Sequence, residues 1–306
     1  MRHSRRAIRK RRQHGKLIVS MIIVLLPLIA ISAFLFSMSK KVENSSTSSS
    51  VQSQQEISTT TTASSSSSVQ PEVTWERQEQ PVKFPILMYH AIHIMAPEEE
   101  ANANLIVAPT TFESHLKALQ DAEYYTLSPE EAYKVLKENV LPAGKKVVWL
   151  TFDDSIWDFY SHAYPLLKQY KMKATNNVIT GFTENGRAGH LTLEQMKEMR
   201  AAGLSFQAHT VSHPDLEYSS IETQTDELTA SKAYLDNQLN QETIALAYPG
   251  GRYSADTVAL TEKAGYKLGV TTNYGLASAS DGLLTLNRIR ILPTTSAESL
   301  LAEIAQ

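Results

Sequence analysis

Residues 145–155 read KKVVWLTFDDS. Val147–Phe152 is an apolar run of strand length, and it ends in two adjacent carboxylates, Asp153 and Asp154. Two acids at the end of a buried strand repel each other and are costly to desolvate, so burial alone gives no reason for them. The stretch therefore predicts a buried strand whose C-terminal end carries chemistry.

The surrounding chain repeats the pattern. FPILMYHAI (84–92), KATNNVIT (173–180), LSFQAH (204–209), TIALAYP (243–249), YKLGVTT (266–272) and LNRIRIL (286–292) read as further strands. Helical segments lie between them. TTFESHLKAL opens with a Thr110–Glu113 capping box, SPEEAYKVL with Ser128, Pro129 and Glu131, and TLEQMKEMRAAG with Thr192–Gln195, closing at Gly203. WDFYSHAYPLLKQY is helical to Tyr170, with Pro165 expected to start or kink the helix. Strands alternating with helices imply a parallel α/β architecture. About seven such units in the last 225 residues predict a distorted (β/α)7-type barrel, with its site at the strand C-terminal ends. LTFDDS, QAHTVSH and AYPGGRYS all fall there.

The first part of the chain differs. Residues 1–16 hold eight Lys/Arg and no acid, and 17–38 run 22 residues without a charge. At about 1.5 Å per residue, that run is long enough to span a bilayer. A cleaved signal peptide usually has a shorter apolar region. The expected organisation is a basic cytoplasmic segment (1–16), a single-pass anchor (17–38), a disordered Ser/Thr-rich linker (39–81) and an extracellular domain (82–306). That last region carries 18 Lys/Arg and 27 Asp/Glu, a net of −9, which argues against a nucleic-acid partner. The chain has no cysteine, which excludes disulfides, thiolate metal sites and a Cys nucleophile.

HTVSH supplies His209 and His213 at a spacing that lets both imidazoles face one ion, whether on a helical turn or in a tight loop. Alone, the pair is a weak signal among nine histidines. It gains weight because it follows an apolar strand, as the Asp pair does. Two His and one carboxylate would leave coordination positions open, and the second carboxylate would be free to act as a base. A glycosidase pair is the poorer reading, because those acids sit about 5–9.5 Å apart across a sugar.

LTFDDS, AHTVSH, AYPGG and LNRIRI, in that order, resemble the polysaccharide deacetylase family (NodB-homology, carbohydrate esterase 4). With the early YH of PILMYHAI they look most like its biofilm branch, the poly-N-acetylglucosamine deacetylases. The likeness covers about 82–306. It implies a hydrolase of amide bonds acting on an extracellular N-acetylglucosamine polymer. It implies one divalent ion, zinc being expected and cobalt, nickel or iron compatible, held by Asp154, His209 and His213. Asp153 would be the general base and His90 the acid for the leaving amine, with His93 a weaker substitute. Ala247 stands where the wider family has a base-orienting Arg, and Arg288 or Arg290 on the last strand could replace it. Tyr248 could line the groove, and Gly250-Gly251 could let substrate near the backbone. The altered AYPGG leaves a second reading, a non-catalytic carbohydrate-binding scaffold.

Overall fold

The computed structural model describes residues 73–305. The basic segment, the expected anchor and nearly all of the linker lie outside the described residues. Among the described residues, no helix is long and apolar enough to cross a membrane.

Seven parallel strands close on themselves in chain order: β1 (Ile86–Tyr89), β2 (Lys146–Phe152), β3 (Thr175–Val178), β4 (Ser205–Ala208), β5 (Ala245–Ala247), β6 (Leu268–Tyr274) and β7 (Leu286–Arg290), with β7 pairing back to β1. The expected seven-stranded barrel is present. An eighth strand, Tyr124–Thr126, pairs in parallel with the first half of β2, Tyr124 opposite Lys146 and Thr126 opposite Val148. The distortion is local: the β6–β7 register shifts between Val270 and Tyr274.

Strand alternation sorts the core into two layers. Val148, Leu150 and Phe152 of β2 pack outward with Leu87, Tyr89, Phe206 and Leu246, under the helices. Val147 and Trp149 point the other way, with Ile86, Ala245, Leu268, Val270 and Leu286. Side chains on this second face fill the barrel, and the Trp149 indole N–H donates to Thr175 Oγ1 at 2.8 Å. Ile86 lies opposite Trp149 and Met88 opposite Thr151. One step further along, the inner layer is His90 and Asp153, and the Asp153 amide donates to the Tyr89 carbonyl at 3.0 Å. The apolar fill thus ends where the acids begin.

The helices around the barrel are α1 (Pro109–Asp121), α2 (Pro129–Glu138), α3 (Tyr164–Gln169), α4 (Thr180–Glu184), α5 (Leu193–Ala201), α6 (Ile221–Leu239), α7 (Ala255–Lys263) and α8 (Ala297–Glu303). The boxes at Ser128/Glu131 and Thr192/Gln195 form as read, each closing two orphan amide donors. The Thr110–Glu113 box does not form: α1 starts two residues earlier, with Ala108 as its cap and Pro109 in the first turn. Proline at that position needs no N–H partner, so it sets the start in place of Thr110. Around Pro165 the chain makes a π-turn, Phe159–Ala163, and then the short α3 with the proline in its first turn. The wider turn absorbs the missing donor.

Two boundaries differ from expectation. FPILMYHAI is broken into Lys83–Phe84, β1 and Ala91–Ile92, and His90 sits in a break. Trp75–Arg77, placed in the linker by its polar surroundings, forms a strand antiparallel to Val140–Pro142. Backbone pairing across that ribbon outweighs the weak local signal of three residues.

Candidate metal centre and catalytic face

Asp153 and Asp154 leave β2 in opposite directions. Asp154 takes a left-handed backbone (φ 73°), as does Ser155 (φ 51°), and so turns its carboxylate away from Asp153. Thr210 (φ 65°) and His213 (φ 61°) do the same after β4. Half of the eight described non-glycine residues with positive φ therefore lie in these two turns. Such backbones cost of order 1–3 kcal/mol each and persist only where the surroundings impose them. The HTVSH segment is a tight loop, not a helical turn.

The imposing contacts are visible. Glu227, in the middle of α6, accepts from the Val211 amide at 2.7 Å and the Ser212 amide at 2.9 Å. Thr210 Oγ1 accepts from the His213 amide at 3.0 Å. Gly181 of α4 donates to the Val211 carbonyl at 2.9 Å. A Cβ on Gly181 would lie 2.7 Å from that oxygen, so the approach needs glycine.

These loops bring Asp154 Oδ1 to 3.3 Å from His209 Nε2 and 3.5 Å from His213 Nε2. The three residues present ligand atoms within 4.8 Å of one another. His209 Nδ1 lies 2.7 Å from the Ala247 carbonyl, which can only accept, so that nitrogen carries the proton. Nε2 is then the nitrogen that faces the Asp154 carboxylate and the one that would be available to a cation. Two imidazoles and a carboxylate converging in this way, one imidazole oriented by a carbonyl behind it, fit a divalent cation and leave further positions free.

Asp153 is excluded from that cluster by its own partners. Arg288 Nη1 reaches its Oδ1 at 2.9 Å and Arg288 Nη2 its Oδ2 at 2.7 Å, and Asn177 Nδ2 donates to Oδ1 at 2.7 Å. Arg288 is itself 1 % exposed, with its Nε on the Thr271 carbonyl at 2.7 Å and Nη1 on Thr151 Oγ1 at 3.1 Å. Burial alone would push the Asp153 carboxyl up, but the bidentate guanidinium holds it well below the usual carboxylate range. It is an ionised carboxylate with fixed geometry.

His90, one inward step beyond Met88, is half-buried at the same end of the barrel. Burial lowers its pKa, the Asp153 and Asp154 carboxylates oppose that, and Arg288 and Arg290 reinforce it. Arg290 lies one inward step beyond Arg288 on β7 and is half-buried. It does not bridge Asp153; of the two candidate arginines, only Arg288 does. His93 is removed from consideration as an acid, because its two nitrogens are held by Asp158 and Glu99.

Tyr248 does not line an open groove. It is fully buried after β5, its ring packed on Tyr253 at 5.1 Å, because the outward alternation of β5 turns it under the helices. Nor does Gly251 make room for a ligand. Its φ is 71°, and a Cβ there would lie 2.1 Å from Thr272 Oγ1, so the glycine accommodates β6.

Two contributors had no distinct reading in the sequence. Asn177 is one of two asparagines within the KATNNVIT strand, and β-alternation from Thr175 turns it inward. Glu227 gave no signal at all, since a glutamate within a surface helix is ordinary.

Comparison with known proteins agrees with this geometry. The family model for polysaccharide deacetylase matches residues 140–269, which include both the Asp pair and the His pair. YxkH of Bacillus subtilis (strain 168), a protein named for this family, is 41% identical over 230 residues, 75% of this chain and 79% of that relative. The chain belongs to the polysaccharide deacetylase family. It is accordingly a hydrolase of carbon–nitrogen amide bonds. The structure of the Streptococcus pyogenes deacetylase PplD in complex with acetate superposes with a TM-score of 0.72. It is 62% identical and covers 74% of this chain and 100% of that one. The poly-beta-1,6-N-acetyl-D-glucosamine N-deacetylase of Staphylococcus aureus (strain MSSA476) matches at 35% over 144 residues, 45% of this chain and 47% of that relative. That relative is thus similar at lower identity than YxkH and PplD.

Proposed function

We propose that this deacetylase removes acetyl groups from an N-acetylglucosamine polymer outside the cell membrane, in a metal-dependent reaction that releases acetate. The observation that carries the reading is the division of labour at the end of β2. Asp154 faces two imidazoles, while Asp153, one residue away, is held ionised and out of reach by Arg288 and Asn177.

Asp154, His209 and His213 would hold the ion, with zinc expected from the two nitrogens and one oxygen. When bound, such a cation supplies Lewis acidity to the amide carbonyl and to water. The remaining chemistry belongs to the chain. Asp153 takes a proton from the attacking water, whose oxygen bonds to the acetyl carbon. Arg288 keeps Asp153 oriented and ionised for that step. His90, across the cavity, delivers a proton to the amide nitrogen as the C–N bond breaks. Acetate and a free amine leave. Base and acid contributions of this kind are worth typically about 10²–10⁴-fold each.

The bidentate Arg288–Asp153 pair also removes the main ground for a scaffold reading, the missing arginine of AYPGG. The polymer assignment is supported by the S. aureus relatives, whose named substrate is poly-beta-1,6-N-acetyl-D-glucosamine. Location outside the membrane is supported by the basic start of the chain and the 22-residue uncharged run. The test is acetate release from poly-N-acetylglucosamine, chitooligosaccharides and peptidoglycan, with and without chelator. Chelator-sensitive release from at least one is expected; no release from any would overturn the reading.

A further inference from the structure

Beside the catalytic cavity lies an assembly that the reaction does not use. Trp157, three residues beyond Asp154, is 43% exposed. It is not loose. One face of the indole stacks on the His93 ring, with centroids 6.2 Å apart and planes 23° off parallel. His162 meets the indole edge-on at 5.5 Å. The Trp157 amide donates to the Gly189 carbonyl at 3.1 Å.

His93 is fixed in turn. Its Nδ1 lies 2.6 Å from Asp158 Oδ2, and its Nε2 lies 3.1 Å from both Glu99 oxygens. Asp158 is fully buried, and the same oxygen accepts from the Ile92 amide at 2.8 Å. Burial would lower the His93 pKa, but these two carboxylates raise it. A tryptophan serving only the fold would bury most of its surface, since that is where its stabilisation comes from. Here the indole is braced on the His93 ring and by the His162 contact, and 43% of it is still exposed.

The position is equally pointed. His93 follows His90 by three residues, and Ile94 and Met95, also exposed, continue the same loop. Six of the seven large hydrophobic side chains exposed among the described residues, Ile94, Met95, Trp157, Tyr218, Ile221 and Leu292, lie on segments leaving a barrel strand at its C-terminal end or beginning the helix that follows; the seventh, Tyr274, ends β6 and donates its hydroxyl to Glu303 at 2.8 Å. A hexopyranose with equatorial substituents presents flat C–H faces, the shape and polarity that an indole face accepts.

We propose that Trp157, backed by His93, is a sugar-stacking platform that binds a ring of the glycan next to the residue being deacetylated. This rests on the deacetylase reading and adds to it that the enzyme engages more than one sugar. Trp157 would be a substrate-binding residue and His93 a positioning residue acting through it.

The test uses the full chain carrying Asp153→Asn, so that binding is read without turnover. Affinity for a six-residue β-1,6-linked N-acetylglucosamine oligosaccharide is measured by calorimetry. Trp157→Ala is expected to weaken binding about ten-fold. Trp157→Phe, which keeps a ring, should weaken it less, and His93→Gln should fall between. With Asp153 restored, the ratio of kcat/KM on the hexamer to that on the dimer should drop in Trp157→Ala. Unchanged affinity and an unchanged ratio in Trp157→Ala overturn the platform, as does failure of the parent to bind the oligosaccharide. If Trp157-dependent binding is found but the parent never releases acetate, the platform stands and the deacetylase reading fails. Vesicle binding that is lost in Trp157→Ala while glycan affinity is unchanged would assign the surface to a membrane and overturn the proposal.

Discussion

Arg288 settles what kind of group Asp153 is. A carboxylate that is 3% exposed would ordinarily protonate to escape its desolvation cost. The bidentate guanidinium reverses that, so the carboxyl is ionised throughout the neutral range. The fold therefore gains from the pair above roughly pH 4, the unfolded carboxyl value, and loses that gain as the pH falls through the lowered folded value. Arg288→Met removes the cation and leaves burial to act alone. The Asp153 pKa then rises, and the acid limb of the kcat/KM profile moves to higher pH. Stability should fall by about 3–5 kcal/mol, the cost of a buried charge left unpaired. A pH–rate profile with an unmoved acid limb would show that Asp153 is not the titrating base. His90→Gln should slow turnover by about 10²–10³-fold with metal content unchanged.

At the scale of elements, the barrel strands supply direction and the loops supply convergence. Parallel pairing of β1 with β2 puts His90 beside Asp153, and the β4 loop carries His209 and His213 over to Asp154. The loop is held from outside the site, by Glu227 on α6. Glu227→Ala should leave the barrel folded but lower metal affinity by about 10–100-fold, as loss of an outer support of a ligand usually does. Titration with zinc against a competing chelator reads this directly.

The same loop shows how far residue patterns reach. Hydrophobic alternation and capping signals located the strands and two of the three boxed helix starts, because they depend on near neighbours. The Asp and His pairs were legible because each ends an apolar strand. Which arginine meets Asp153 was not, since Arg288 and Arg290 share one face of β7 and differ only in depth along the barrel. Glu227 was invisible for a related reason: its partners lie 15 and 16 residues away, across a turn with no local signature. Tyr248 was misassigned because YPGG reads as an exposed turn, while its strand register turns the ring inward.

For the whole molecule, the candidate metal centre is built on a closed barrel with its own apolar fill, unlike small domains that fold around an ion. The metal-free protein should keep its far- and near-ultraviolet circular dichroism. Added metal should raise the unfolding midpoint only by the amount mass action provides, about 2.7 kcal/mol at a hundredfold excess over Kd. Collapse of the near-ultraviolet signal on chelation would mean that the ligands organise the fold instead of the reverse. The chain's charge fits the same picture. Positive charge gathers at its start, and the barrel region carries a net negative charge, which disfavours polyanions. Deacetylation turns a neutral glycan cationic, so an acidic enzyme would act on a polymer that becomes its electrostatic complement.

The central claim is that adjacent carboxylates hold separate offices, Asp154 on the metal and Asp153 on the proton. Metal stoichiometry and acetate release, measured side by side in Asp153→Asn and Asp154→Ala, test it most directly. The account predicts a full metal complement with turnover down at least about 10²-fold in Asp153→Asn, and loss of both metal and turnover in Asp154→Ala. Metal lost from Asp153→Asn, or its activity retained, would contradict it.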